Sequence, residues 1–116
     1  MPLDPAYLER AQHNELYLAT FDIHNSDFLD WAVVAAFYVA VRYVDAYFYP
    51  NKPVDHEERN RRVRTDSRTR RIADEYRLLY DRSRDARYEL VDFNSQEVDS
   101  LIQNRLKLVQ THMQRQ

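Results

Sequence analysis

The amino-acid sequence predicts an all-α fold, an antiparallel bundle of four long helices plus one short inserted helix. Three observations carry that expectation. Glycine is absent from all 116 residues, and tight two-residue hairpins lean on glycine for positive φ. Apolar residues recur at helical spacing in three stretches. Helix start signals stand in front of the stretches they would open.

Asp4 followed by Pro5 reads as an N-cap with proline at the first helical position. The helix it opens runs to about Thr20, with Tyr7, Leu8, Ala11, Leu18 and Phe21 on its apolar side. Asn25 or Ser26 starts the second helix, which continues to about Tyr49, where Pro50 and Pro53 end it. Asp55 caps a short helix from His56 to about Arg64. Asp66 or Ser67 restarts the chain into a long helix ending near Tyr88, whose apolar side holds Ile72, Tyr76, Leu79, Tyr80, Ser83 and Ala86. Asn94, with Glu97 three residues later, resembles a capping box. It opens a last helix with Val98, Leu101, Ile102, Val109 and Met113 in one stripe, running to about Met113 before a polar tail at about 114–116. The length predicts one domain, residues 1–116.

The second helix is the expected centre. Trp31 to Val41 is an unbroken apolar run, interrupted afterwards by Arg42 and Asp45. The uncharged run is too short to cross a bilayer, so no membrane is expected and the helix should be enclosed by protein. Ala32, Ala36 and Ala40 form a ridge of small side chains that admits a close neighbour, in the same chain or a second copy. A homodimer is therefore expected.

Composition also excludes. Without cysteine there is no disulfide, thiolate nucleophile or Cys-based zinc site. Without glycine, phosphate-binding loops and dinucleotide folds are disfavoured. No Glu-x-x-His occurs on a helix, and neither a metal nor a cofactor is expected. His24, Asp27 and Asp30 are the nearest approach to a ligand set, with Asp27 equally suited to capping. The first residues, Met-Pro-Leu-Asp-Pro, do not read as a signal peptide, and a cytoplasmic location is expected.

Net charge is only −2, but eleven of the fifteen arginines lie between Arg59 and Arg87. Arginine suits phosphate and carboxylate alike. Asp66, Asp74, Glu75, Asp81 and Asp85 share the segment, so the charge is either a self-paired, solvated face or an anion-binding surface.

Polar groups on apolar faces mark a candidate site. At 100° per residue, Arg87 shares the stripe of Tyr76, Tyr80 and Ser83, and should point inward. Tyr38, Arg42 and Asp45 share one side of the second helix. His56, Asn60 and Val63 share one side of the short helix. One reading is a structural network in which Arg87 or Arg42 pairs with Asp45 or Asp30. The other is a polar cleft in which His56, beside Asn60, moves a proton while Arg84 or Arg87 balances charge on a phosphate.

Two stretches carry a resemblance. The first runs from Asp30-Trp31-Ala32 through Ala35-Ala36-Phe37-Tyr38 and Val44-Asp45-Ala46-Tyr47 to His56-Glu57-Glu58-Arg59-Asn60. The second is Tyr76-Arg77-Leu78-Leu79-Tyr80 with Ser83-Arg84-Asp85-Ala86-Arg87-Tyr88. Over roughly residues 28 to 90 the chain resembles HEPN-domain proteins. The resemblance implies a four- or five-helix bundle, commonly dimeric, and an RNA-processing or RNA-binding domain. Its active form would be a metal-independent endoribonuclease of a toxin–antitoxin or defence system. It also implies RNA and an antitoxin or other protein as partners. The family's motif, an arginine and a histidine separated by four to six residues, is matched only by Arg105 and His112. The alternative is a non-catalytic helical module that assembles with a partner protein.

Overall fold

In the computed structural model, which describes residues 2–115, every regular element among those residues is helical. The first helix, α1, spans Pro5–Ala19. Its cap is the one expected: the Asp4 carboxylate accepts the Tyr7 N–H at 3.1 Å, and Pro5 occupies a position whose N–H would otherwise be unpaired. The second helix, α2, spans Leu29–Phe48 and starts later than expected. Polar side chains ahead of it build a turn instead. Asp22 accepts from the His24 N–H at 3.3 Å and the Asn25 amide at 2.9 Å, and Ser26 accepts the Phe28 N–H at 2.9 Å.

Asp55 caps α3, His56–Thr65, by accepting the Glu58 N–H at 2.8 Å, while Glu58 accepts the Val54 N–H at 3.1 Å. The restart at Asp66 comes in two steps. The Asp66 carboxylate accepts the N–H groups of Arg68 at 2.9 Å and Thr69 at 3.1 Å. A 3₁₀ turn, Thr69–Ile72, follows, and then α4, Ala73–Tyr88. Asn94 accepts the Glu97 N–H at 2.8 Å and opens the last rod. Glu97 itself turns to Arg82, at 2.8 Å, so only half of the expected capping box forms. The rod is α5 (Ser95–Ser100), a π-helical stretch (Leu101–Leu106) and α6 (Lys107–Gln114). Gln114, assigned to the polar tail from sequence, is therefore the last helical residue. Gln116, the end of that tail, and Met1 lie outside the described residues.

The core is organised on α2, which packs against α1, α4 and the final rod. Val33, Phe37, Val39, Tyr43 and Val44 are fully enclosed, facing Ala11, Leu79, Val98, Val109 and Met113 from the other elements. Length and composition alone would let α2 cross a membrane, but 67% of its apolar window is buried inside the bundle. That burial accounts for its all-round apolarity: it is the core helix. The alanine ridge is used within the chain. Ala32, Ala36 and Ala40 are each 0% exposed, so the ridge receives neighbouring helices of its own bundle and is closed to a second copy. A radius of gyration of 13.6 Å matches the roughly 13 Å expected for a single compact body of this length.

A polar tie crosses the core at Tyr43. Its hydroxyl donates to Glu15 of α1 at 2.9 Å and accepts from Gln114 of α6 at 2.9 Å, and Gln110 donates to the same Glu15 carboxylate. Burial first, and then the Glu15 carboxylate, push the Tyr43 phenol well above its usual range, so it stays a donor.

Candidate active site and arginine groove

Asp45 lies on the side of α2 that faces α3 and is 1% exposed. A carboxylate so enclosed needs a partner, and α3 supplies it. With Asp55 fixing the start of α3, His56 and Arg59 stand one turn apart and point the same way. Arg59 Nε donates to Asp45 Oδ1 at 2.9 Å, and Nη2 donates to Oδ2 at 3.2 Å, a two-pronged match of planar groups. Burial by itself would lower the Arg59 pKa. The hydrogen bonds and charge of Asp45 outweigh it and hold the guanidinium ionised. Arg42 contributes at longer range, Nη1 lying 4.0 Å from Asp45 Oδ2.

The third nitrogen of Arg59 settles the state of His56. Nη1 lies 3.1 Å from His56 Nδ1, and a guanidinium nitrogen can only donate. Nδ1 is therefore the acceptor, and the neutral ring carries its hydrogen on Nε2, 3.3 Å from the Tyr38 hydroxyl oxygen. Burial, then the charges of Arg59 and Arg87, lower the His56 pKa, with Asp45 and Asp55 opposing. The ring is packed by Phe37 at 5.4 Å, Tyr80 at 5.8 Å and Tyr38 at 5.9 Å between centroids.

Arg87 arrives from α4. Its Nη1 donates to the Tyr38 hydroxyl at 3.3 Å and its Nε to the Ser83 carbonyl at 3.3 Å. It is partly buried and points inward as its helical phase requires, but it meets a phenol and a carbonyl. The carboxylate partner expected for Arg87 or Arg42 belongs mainly to Arg59, which sequence reasoning passed over among eleven arginines. A signal was present: Arg59 is three residues from His56 and four from Val63, on the same side of α3. Tyr38 was placed on the right side of α2, but its role as the junction between His56 and Arg87 depends on where α4 lies.

Asn60 and Arg84 go to a different place. Together with Asp55, Glu57, Glu58, Arg61, Arg64, Arg77 and Tyr80 they line a groove of about 550 Å³ between α3 and α4. Asn60 Oδ1 is enclosed there without a hydrogen-bond partner among the described residues. The lining repeats helical spacing on both walls, 57, 61 and 64 on α3 and 77, 80 and 84 on α4. Both sequence expectations for the arginine segment find members. Arg62 pairs with Glu58, Arg77 with Asp81, and Arg82 with Asp85 and Glu97. Arg61, Arg64 and Arg84 have no ion-pair partner among the described residues. Tyr80 joins the two features, lining the groove while its ring packs on His56.

Arg105 and His112 are not brought into this site. Arg105 reaches Glu75 at 3.8 Å, and His112 Nε2 donates to the Arg68 carbonyl at 2.7 Å, tying α6 to the turn before α4. Among the described residues, no three His, Asp or Glu side chains cluster as metal ligands. A second surface feature is aromatic. Tyr17, Phe21, Phe28 and Trp31 line a shallow depression beside the α1–α2 turn, with Phe28 62% and Trp31 55% exposed.

Compared with known protein families, characterised proteins and solved structures, the chain matches none.

Proposed function

We propose that this chain is an HEPN-like RNA-binding domain that holds the phosphodiester backbone in the α3–α4 groove and cleaves it at the adjoining His56–Tyr38–Arg87 cluster. One observation carries the reading. Three guanidiniums with no ion-pair partner among the described residues, Arg61, Arg64 and Arg84, converge on a groove that shares Tyr80 with the only cluster, among those residues, where a histidine, a phenol and an arginine bond in sequence. Arginine forks bind phosphate oxygens in pairs, and a partly exposed tyrosine ring such as Tyr80 can stack on a base. The lining sets Arg61, Arg64, Arg77 and Arg84 against Asp55, Glu57 and Glu58, so the formal balance in the groove is cationic by one charge.

RNA suits such a site because its 2′-hydroxyl is an internal nucleophile. The protein then needs only to move protons and stabilise charge growing on the phosphate. Service as the toxin of a toxin–antitoxin or defence pair, acting as a homodimer, belongs to the same proposal.

The test is labelled single-stranded RNA with purified protein in EDTA. Arg61→Ala/Arg64→Ala/Arg84→Ala should weaken binding, and DNA should survive intact. His56→Ala and His112→Ala run side by side separate the cleft from the sequence motif: loss only in His112→Ala would move the reaction to the last rod. The exposed aromatic face favours a second reading, a module that docks a partner protein through Phe28 and Trp31. Retention of a partner that Trp31→Ser releases, with RNA neither bound nor cut, would put that reading first.

A further inference from the structure

Tyr38 stands between His56 and Arg87. Its oxygen lies 3.3 Å from His56 Nε2 and 3.3 Å from Arg87 Nη1. Arg87 can only donate. His56 must also donate from Nε2, because its Nδ1 is occupied by the Arg59 donor at 3.1 Å. The Tyr38 oxygen therefore accepts two hydrogen bonds, and its own hydrogen is directed to neither partner. Tyr38 is partly exposed, and that hydrogen is committed to neither His56 nor Arg87. His56 cannot serve as a base in this arrangement. Its one basic nitrogen is covered by a buried guanidinium that Asp45 fixes in place.

We infer that Tyr38 is the catalytic acid of this site and that His56 is a positioning residue acting through it. The inference rests on the RNA-cleavage reading. In the reaction, the 2′-oxygen of RNA forms a bond to phosphorus and its proton passes to water. The bond from phosphorus to the 5′-oxygen breaks, and the departing oxygen takes the electron pair and the Tyr38 hydroxyl hydrogen. The products are a 2′,3′-cyclic phosphate and a 5′-hydroxyl. The phenolate left behind is held by the His56 N–H and the Arg87 guanidinium until water returns its proton. Two donors aimed at the oxygen that becomes negative are the arrangement such a step requires.

Four measurements decide it. Tyr38→Phe keeps the ring that packs on Phe37 and removes only the hydroxyl; it should stay folded with a melting temperature lowered by only about 4–8 °C, bind RNA equally well and cut about a hundredfold more slowly. Replacing the bridging 5′-oxygen by sulfur at the linkage that wild type cuts should restore the Tyr38→Phe rate, because a thiolate leaves without a proton. His56→Gln, which keeps an N–H toward Tyr38 and an oxygen for Arg59, should recover most of the rate lost in His56→Ala. Nitrogen-15 chemical shifts of His56 at neutral pH should report hydrogen on Nε2. A Tyr38→Phe protein that cuts at the wild-type rate, or stays slow on the sulfur substrate, overturns the inference while leaving the RNA reading intact. So does a His56 ring protonated on Nδ1, whatever the protein does to RNA. Wild-type protein that cuts no RNA removes the parent reading, and the catalytic assignment with it.

Discussion

Asp45→Ala is the substitution with the largest expected effect on stability. Asp45 is 1% exposed, and its carboxylate receives two hydrogen bonds, at 2.9 and 3.2 Å, from Arg59, a residue itself 6% exposed. Removing it strands a buried cation with no acceptor for either prong. Breaking one side of a buried pair costs about 3–5 kcal/mol. For a chain of this size each kcal/mol moves the melting temperature by about 4 °C, so a fall of about 12–20 °C is expected. Circular dichroism at 222 nm with heat, and urea titration at fixed pH, are the assays. The control is Asp45→Leu with Arg59→Met, which removes both charges and refills the space with apolar volume. That double variant should lie within about 1 kcal/mol of wild type or above it. Arg87→Ala should cost only about 1 kcal/mol, because Arg87 is partly exposed and its partners are neutral. Asp45→Ala costing less than Arg87→Ala would refute the buried pair and the placement of α3 against α2.

Further outcomes test other parts of the structure. The His56 pKa is lowered on folding, so the neutral ring is favoured: its contribution to stability is complete above the unfolded value of 6.5 and is lost as pH falls through the lowered folded value. In urea titrations from pH 7.5 downward, His56→Gln should flatten the first part of the acid decline, and an unchanged slope would contradict the burial of the ring. In the groove, Arg61→Ala/Arg64→Ala/Arg84→Ala should reduce the slope of log binding constant against log salt by about 2 for single-stranded RNA, near 0.7 per lost phosphate contact. An unchanged slope would place the RNA elsewhere. Asp66→Ala, which removes the acceptor of the Arg68 and Thr69 N–H groups, should destabilise by about 1–2 kcal/mol in the same melts. No change there would mean that the turn before α4 is held by other contacts.

Much of the site was legible one helix at a time. Helical phase put Tyr38 and Asp45 on one side of α2 and Arg87 inward on α4, but it grouped His56 with Asn60, which the structure sends to the groove instead. Those placements depend only on 100° per residue and on caps such as Asp55, which set where the count begins. Pairing between helices was not legible. Asp45 has arginines within reach on its own helix and on α3, and a period of 3.6 residues says nothing about which helix comes alongside. Arg59 took the carboxylate because it combines depth with the two-pronged geometry. Arg42 stays 4.0 Å away, with its side chain 36% exposed. The alanine ridge shows the same limit: Ala32, Ala36 and Ala40 announce a close neighbour, and only the packed chain shows that its own helices fill the place.

What the sequence by itself determined is local and short-ranged: the helical class, through absent glycine and periodic apolar residues; the starts at Asp4, Asp55 and Asn94, through side chains that accept their own backbone N–H groups; and the core position of α2, through an apolar run with no polar side. Tertiary structure decided the rest, because those choices set donors and acceptors from distant segments against one another. Arg59 became a buried cation, Arg61, Arg64 and Arg84 were left facing a groove, and Tyr38 came to accept from His56, eighteen residues on, and Arg87, forty-nine residues on. A hydrogen bond requires a donor and an acceptor within about 3 Å, and for residues so far apart in the chain that distance is set only when α2, α3 and α4 pack.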